Sequence, residues 1–207
     1  RYTWWGLEDD AAWHERQRPF PRVRGLAAGL ELGVDGRGET RRWGAADDPR
    51  NRPGTVIFRP RQWLLAGWQF LPYARMQIQE NAAGGVGEDD LTRDKIGGLT
   101  PYSVPLAGAP WTGWLSERYV AGQWSGHLRA WHELEVGPLV DAVVLEDPHR
   151  TGEHDAGFEW GVGALADLRL QAWQIDLRGG WSPTLSDESG RTAFTVWLSA
   201  GWSWGPG

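Results

Sequence analysis

Residues 158–181 read FEWGVGALADLRLQAWQIDLRGGW, and their alternation decides the fold. Phe158, Trp160, Val162, Ala164, Ala166, Leu168 and Leu170 share one face, opposite Glu159, Gly161, Gly163, Leu165, Asp167 and Arg169. A period of two is that of a β-strand. After Gln171 and Ala172 the pattern resumes, with Trp173, Ile175, Leu177, Gly179 and Trp181 against Gln174, Asp176, Arg178 and Gly180. A two-residue turn at Gln171-Ala172 pairs Leu170 with Trp173, Arg169 with Gln174 and Asp167 with Asp176. This register keeps the apolar set of both strands on one side.

The same period extends in both directions. Residues 194–204 place Phe194, Val196, Leu198, Ala200, Trp202 and Trp204 on one face, and residues 119–132 do so with Val120, Gly122, Trp124, Gly126, Leu128 and Ala130. Residues 74–79, 56–70 and 26–35 alternate likewise, whereas residues 136–145 are apolar on both faces apart from Asp141. This predicts eight strands. The links between them alternate long and short: 36–54 is long, 71–73 short, 81–117 very long, 133–135 short, 146–157 long, 171–172 short and 182–190 long. Short turns at one end, longer loops at the other, and an even number of strands of about ten residues are the pattern of an outer-membrane barrel.

Composition narrows the alternatives. The 207 residues carry 21 Lys plus Arg against 27 Asp plus Glu, a formal charge of −6. That balance lacks the basic stripe needed to bind nucleic acid. The absence of Cys removes disulfides, thiolate zinc sites and Cys nucleophiles. No run of about 18 apolar residues is present to form a membrane helix, and Arg1 to Asp10 show no signal-peptide core. The outstanding count is 16 Trp beside 5 Phe and 4 Tyr.

A soluble ligand-binding barrel would turn the apolar face inward, whereas a membrane barrel turns it to lipid. The aromatics favour lipid. Phe58, Trp160, Trp181 and Phe194 fall at the long-loop ends and Trp68, Phe70, Trp173, Trp202 and Trp204 at the short-turn ends, with aliphatic residues between. Two aromatic girdles flanking a smooth band mark the two membrane interfaces. The opposite face then forms a lumen filled by Arg59, Arg129, Glu159, Asp167, Arg169, Asp176 and Arg178. Lys95, the single Lys, lies in the longest loop. The expected organisation is a lead or residual strand over residues 1–19, then one all-β, antiparallel transmembrane barrel over residues 20–207. Eight strands are expected, with ten strands, or membership of a larger barrel, as the alternatives.

With strands and loops in place, residues 95–204 resemble the surface-antigen (BamA-type) family of outer-membrane barrels. The resemblance rests on order and spacing: Ile96-Gly97-Gly98-Leu99 before a long loop, a polar and aromatic strand at 118–131, Val140-Asp141-Ala142, Gly161-Val162-Gly163, Leu177-Arg178-Gly179 and a terminal strand ending in Trp. It implies a transport or secretion pore whose long loop folds into the lumen. The family's loop carries an Arg-Gly-aromatic motif, whereas this loop reads Val104-Pro105-Leu106-Ala107-Gly108-Ala109-Pro110-Trp111. The family barrel also has about twice as many strands.

Catalytic and metal motifs are weak. Ser125, His127 and Asp141 fall on neighbouring strands, but no Gly-x-Ser-x-Gly surrounds Ser125. His149 and His154 with Glu146, Asp147, Glu153 and Asp155 match no ligand spacing, and Glu88-Asp89-Asp90 with Asp94 lacks the calcium-loop pattern. Gly84-Gly85-Val86-Gly87 is followed by no Gly-Lys-Ser/Thr. The expectation is a non-enzymatic protein with no cofactor and no metal, a membrane-embedded scaffold or subunit of an envelope assembly in the bacterial outer membrane. Its expected partners are outer-membrane lipid, lipopolysaccharide through Arg41, Arg42 and Arg150, and proteins that meet the 81–117 loop.

Overall fold

The computed structural model describes residues 2–4, 25–36, 56–86, 93–97, 104–109, 114–146, 156–170, 173–186 and 192–202. Among the described residues there are eleven strands: β1 (Tyr2–Trp4), β2 (Gly25–Gly36), β3 (Val56–Leu71), β4 (Ala74–Gly84), β5 (Asp94–Ile96), β6 (Trp114–Ser116), β7 (Arg118–Arg129), β8 (Leu134–Glu146), β9 (Ala156–Leu170), β10 (Trp173–Ser186) and β11 (Thr192–Trp202). β5 and β6 form a small hairpin of their own. The rest make one antiparallel sheet in the order β1-β2-β3-β4-β7-β8-β9-β10-β11. The eight long strands are those expected from the alternation, and neighbours in sequence are neighbours in the sheet.

The registers follow the side-chain period. Leu170 opposes Trp173, Arg169 opposes Gln174 and Asp167 opposes Asp176, as a two-residue turn requires. On the far side of β10, Trp173 opposes Trp202 and Trp181 opposes Phe194. Every ladder therefore keeps the apolar set together.

Three boundaries differ from the sequence expectation. β4 runs to Gly84, pairing Asn81 with Ala121 and Ala82 with Val120, so the long loop is shorter than 81–117. Glu80 breaks the apolar alternation there and hides the last turn of the ladder. The turn after β7 spans residues 130–133, which leaves Glu135 inside β8 rather than in the link. β10 continues beyond Trp181 to Ser186, past a register shift after Ser182.

The ladders end at β1 and β11, and among the described residues no pairing joins these edges. The expected closure into a barrel is thus absent from the pairings. Tyr2–Trp4 occupies the edge of β2 at Ala28–Leu30, where a closing strand would have to bond.

The two faces are inverted relative to a water-soluble sheet. Asp141, Asp167, Asp176, Glu159 and Arg178 are buried, while Phe194, Val196 and Leu198 are 68%, 58% and 65% exposed. A flat sheet would expose both faces alike, so the sheet must curve around its polar side. The apolar residues lie on the other, exposed face.

Candidate functional site: the enclosed polar face and its inserted loop

The inner face of β8 is apolar because protein, rather than water, lies against it. Residues 104–109 cross the concave side of the sheet, with Leu106, Ala107 and Ala109 fully buried. Leu106 and Ala109 pack in one cluster with Ile96, Tyr119, Val143 and Leu145, and Ala107 packs with Leu139 and Leu165. A strand apolar on both faces, unusual for the outer wall of a water-filled channel, is therefore the wall on which the loop rests.

Polar contacts fix this segment at Ala107 and at Ala109. The Ala107 N–H donates to the Asp141 carboxylate at 2.8 Å, and Gln123 Nε2 donates to the other oxygen at 2.7 Å. Thr195 Oγ1 on β11 donates to the Ala109 carbonyl at 2.7 Å. Gly108 turns the chain with φ +81, a conformation that side chains disfavour. Gly161 and Gly180 form the floor beneath Ala107, and a Cβ on either would collide with it. The β5–β6 hairpin is tied down separately: Asp94 accepts from Arg61 Nε at 2.9 Å and from the Tyr119 hydroxyl at 3.0 Å.

The seven residues expected to fill the interior are distributed among three levels. Arg178 lies at the centre, donating to Gln123 Oε1 at 3.2 Å and facing Asp141, Asp176 and Asp167 electrostatically. Towards the short turns, Arg169 Nε approaches Asp167 at 3.2 Å and Asp176 accepts from Gln174 at 3.2 Å. Glu159 is buried nearer the long loops, and Arg59 pairs with Asp35 there. Arg129 is exposed at the end of β7.

Alternation did not reveal a second polar cluster at the short-turn end. Arg75 donates to Glu135 from Nε at 3.1 Å and from Nη2 at 2.8 Å, and to Gln77 at 3.1 Å. Glu135 also stands beside Asp167, which in turn stands beside Asp176, so three carboxylates occupy one row across β8, β9 and β10. The sequence signal was the polar face of β4, Arg75 and Gln77; assigning Glu135 to a turn hid its partner. Similarly, the lone Asp141 in an apolar strand was the visible sign of the loop's anchor.

Ser125 and His127 do come together, with Oγ to Nε2 at 3.0 Å, but Asp141 is held elsewhere by Gln123 and Ala107. Glu135 takes the third position, 3.5 Å from His127 Nδ1. Arg75 Nη2 lies nearer to the same nitrogen, at 3.0 Å. Because a guanidinium only donates, the closer Arg75 contact favours Nδ1 as an acceptor over Nδ1–H donation to Glu135, and so assigns the proton to Nε2, pointing at Ser125. Ser125 then receives a hydrogen bond rather than giving up its proton, the reverse of an activated nucleophile.

Of the girdle residues, Phe58, Trp68, Phe70, Trp173, Trp181 and Phe194 are exposed on the outer face and Trp160 is half-buried on it. Trp202 is placed by its pairing with Trp173, and Trp204 lies outside the described residues. Also outside them are Arg41, Arg42, Glu88–Asp90, Asp147, His149, Arg150, Glu153, His154, Asp155 and Trp111. Among the described residues no group of three or more His, Asp or Glu is placed to hold a metal ion. Comparison with known proteins adds no relative: no family, no curated protein and no solved structure matches the chain.

Proposed function

We propose that this chain is an integral outer-membrane β-barrel protein, acting without catalysis as a membrane-embedded scaffold or subunit of an envelope assembly. The observation that carries this reading is the inversion of the two faces. Charged groups such as Asp141, Asp176 and Arg178 are enclosed while a continuous field of Leu, Val, Phe and Trp faces outward. In water that outer field would far exceed the few hundred Å² of contiguous apolar surface tolerated by a soluble monomer. In a bilayer it is the solvated surface.

The girdles support the same reading. Along β3, Phe58 and Trp68 bracket Leu64 and Ala66; along β10, Trp173 and Trp181 bracket Ile175 and Leu177. With a rise of about 3.3 Å per residue and a tilt of about 40°, such spacings give a band roughly 20–25 Å high. The interior supports a filled barrel rather than an open channel, because residues 104–109 and the Arg178 network occupy it. Outer-membrane lipid and lipopolysaccharide are the partners proposed for the outside, and the ends of the 104–109 loop for protein contacts.

The test is membrane fractionation with heat-modifiable migration on a detergent gel. Retention of the protein in carbonate-washed membranes, together with a faster-migrating unheated band, is the expected result. Recovery in the soluble fraction would overturn the proposal and leave a soluble ligand-binding barrel. A steady ionic current from the folded protein in planar bilayers would replace the scaffold with a transport or secretion pore.

A further inference from the structure

Away from the strand ends, the described side chains of the outer face are apolar with two exceptions, Gln62 and Glu80. The two are neighbours on β3 and β4. Gln62 pairs with Ala82 and Leu64 with Glu80, and Gln62 Nε2 donates to Glu80 Oε1 at 3.5 Å, the outer limit of a hydrogen bond. Glu80 is half-buried, and it stands level with Leu64, between the aromatic positions Phe58 and Trp68 of β3. An ionisable side chain at such a place, where the neighbours other than Gln62 are apolar, is costly in a bilayer and marks a site that uses it.

The same residues line a partly open cavity. Ala28, Leu30, Leu64, Gln62 and Glu80, with Gly29 and Trp63, border a space of about 630 Å³ that opens to the outside, within the range of small-molecule clefts. Five of the seven belong to the outer face by register. On the other side of Glu80, the facing residue on β7 is Gly122, where an added Cβ would meet nothing within 4 Å. The carboxylate therefore borders open space on one side and a mostly apolar cavity on the other.

This arrangement defines the occupant. A carboxylate accepts at about four lone-pair positions, and one long contact from an amide satisfies a fraction of them. Its complement in a low-dielectric setting is a cation that brings N–H donors and cancels the charge. The apolar walls formed by Ala28, Leu30 and Leu64 call for hydrocarbon attached to that cation. We infer that the Glu80–Gln62 cavity on the outer face of β2–β4 is a binding site for an amphiphile with a primary ammonium group on a hydrocarbon chain. The inference rests on the outer face being lipid-exposed. Two sources share this chemistry: an aminolipid of the bilayer and a free long-chain amine.

Native mass spectrometry of the folded full chain in detergent tests it with four probes: dioleoyl-phosphatidylethanolamine, dioleoyl-phosphatidylcholine, dodecylamine and dodecanol. Retention of the ethanolamine lipid or of dodecylamine, with the choline lipid and the alcohol at least about tenfold weaker, is expected. Which of the two amines is retained identifies the source. Glu80→Gln, nearly isosteric, is expected to lower the retained fraction about tenfold, and Gly122→Phe is expected to lower it by filling the space beside Glu80. Equal retention of dodecanol and dodecylamine, or equal retention by wild type and Glu80→Gln, would overturn the inference. Because dodecylamine needs no bilayer, loss of this binding in a protein that still fractionates with membranes defeats the site alone.

Discussion

Asp141 and Ala107 are joined by a hydrogen bond of 2.8 Å between a fully buried carboxylate and a fully buried backbone N–H. This one contact links the middle of β8 to the deepest point of the inserted loop. Asp141→Leu removes the acceptor and leaves the Ala107 N–H and one Gln123 donor unsatisfied, at a cost of about 1–3 kcal/mol each. The expected outcome is a lower urea midpoint together with new protease cleavage between residues 93 and 109. Asp141→Asn, which retains an acceptor oxygen, is expected to fall between the two.

Gly161 and Gly180 give that loop its seat. A Cβ on Gly161 would strike the Ala107 carbonyl, and one on Gly180 the Ala107 Cβ. Gly161→Val and Gly180→Val are therefore expected to displace the loop while the ladders of β9 and β10 persist. Circular dichroism should keep its strand signal as loop proteolysis rises by an order of magnitude or more. Gly201→Ala, with open space around the added carbon, serves as the neutral control.

Arg178 faces three enclosed carboxylates, Asp141, Asp167 and Asp176, of which Arg169 also approaches Asp167. Arg178→Met keeps much of the volume but strands that negative charge, and such losses cost about 3–5 kcal/mol. Refolding yield into detergent is expected to fall sharply. Arg178→Met combined with Asp176→Asn is expected to recover part of it, and the double-mutant cycle measures the coupling. Full additivity of the two substitutions would show that the pair does not interact.

How far these features were legible differs by level. The eight strands and the β9–β10 register were readable because a period of two has only one face to bury, and a slip of one residue would have reversed it. The loop's path was not readable, since nothing local in Val104 to Ala109 names Gly161 or Gly180 as its floor. That match is a fit of backbone to backbone across the sheet. The Arg75–Glu135 pair escaped for a different reason: four exposed residues, 130–133, form the turn, and sequence alternation cannot fix where such a turn ends. Glu80 ended the visible pattern of β4 early because an acid on the apolar face reads as the end of a strand.

The Ser125, His127 and Glu135 arrangement has the connectivity of a hydrolytic triad with its proton on the wrong nitrogen. Arg75 favours that tautomer by donating to Nδ1 at 3.0 Å, closer than Glu135 at 3.5 Å. Ser125→Ala is then expected to change stability by about 1 kcal/mol and, on the proposed non-catalytic reading, to leave the esterase signal of the preparation unchanged. A serine-directed fluorophosphonate is expected to leave Ser125 unlabelled. Labelling that disappears in Ser125→Ala would show that Arg75 can move aside and that the site is reactive.

Leu177 and Leu198 face each other on β10 and β11, are 45% and 65% exposed, and lie between the Trp173–Trp202 and Trp181–Phe194 pairs. If the outer face contacts lipid, this is the middle of the apolar band, where an Arg costs roughly 2–4 kcal/mol. In water the same change on an exposed strand position would be nearly neutral and would improve solubility. The two environments thus predict opposite signs for one substitution. Leu177→Arg and Leu198→Arg are expected to lower the folded, heat-modifiable fraction in lipid vesicles severalfold. Gln174→Arg at the short-turn end of the inner face is expected to have a smaller effect. Unimpaired insertion of both leucine variants would place this surface in water.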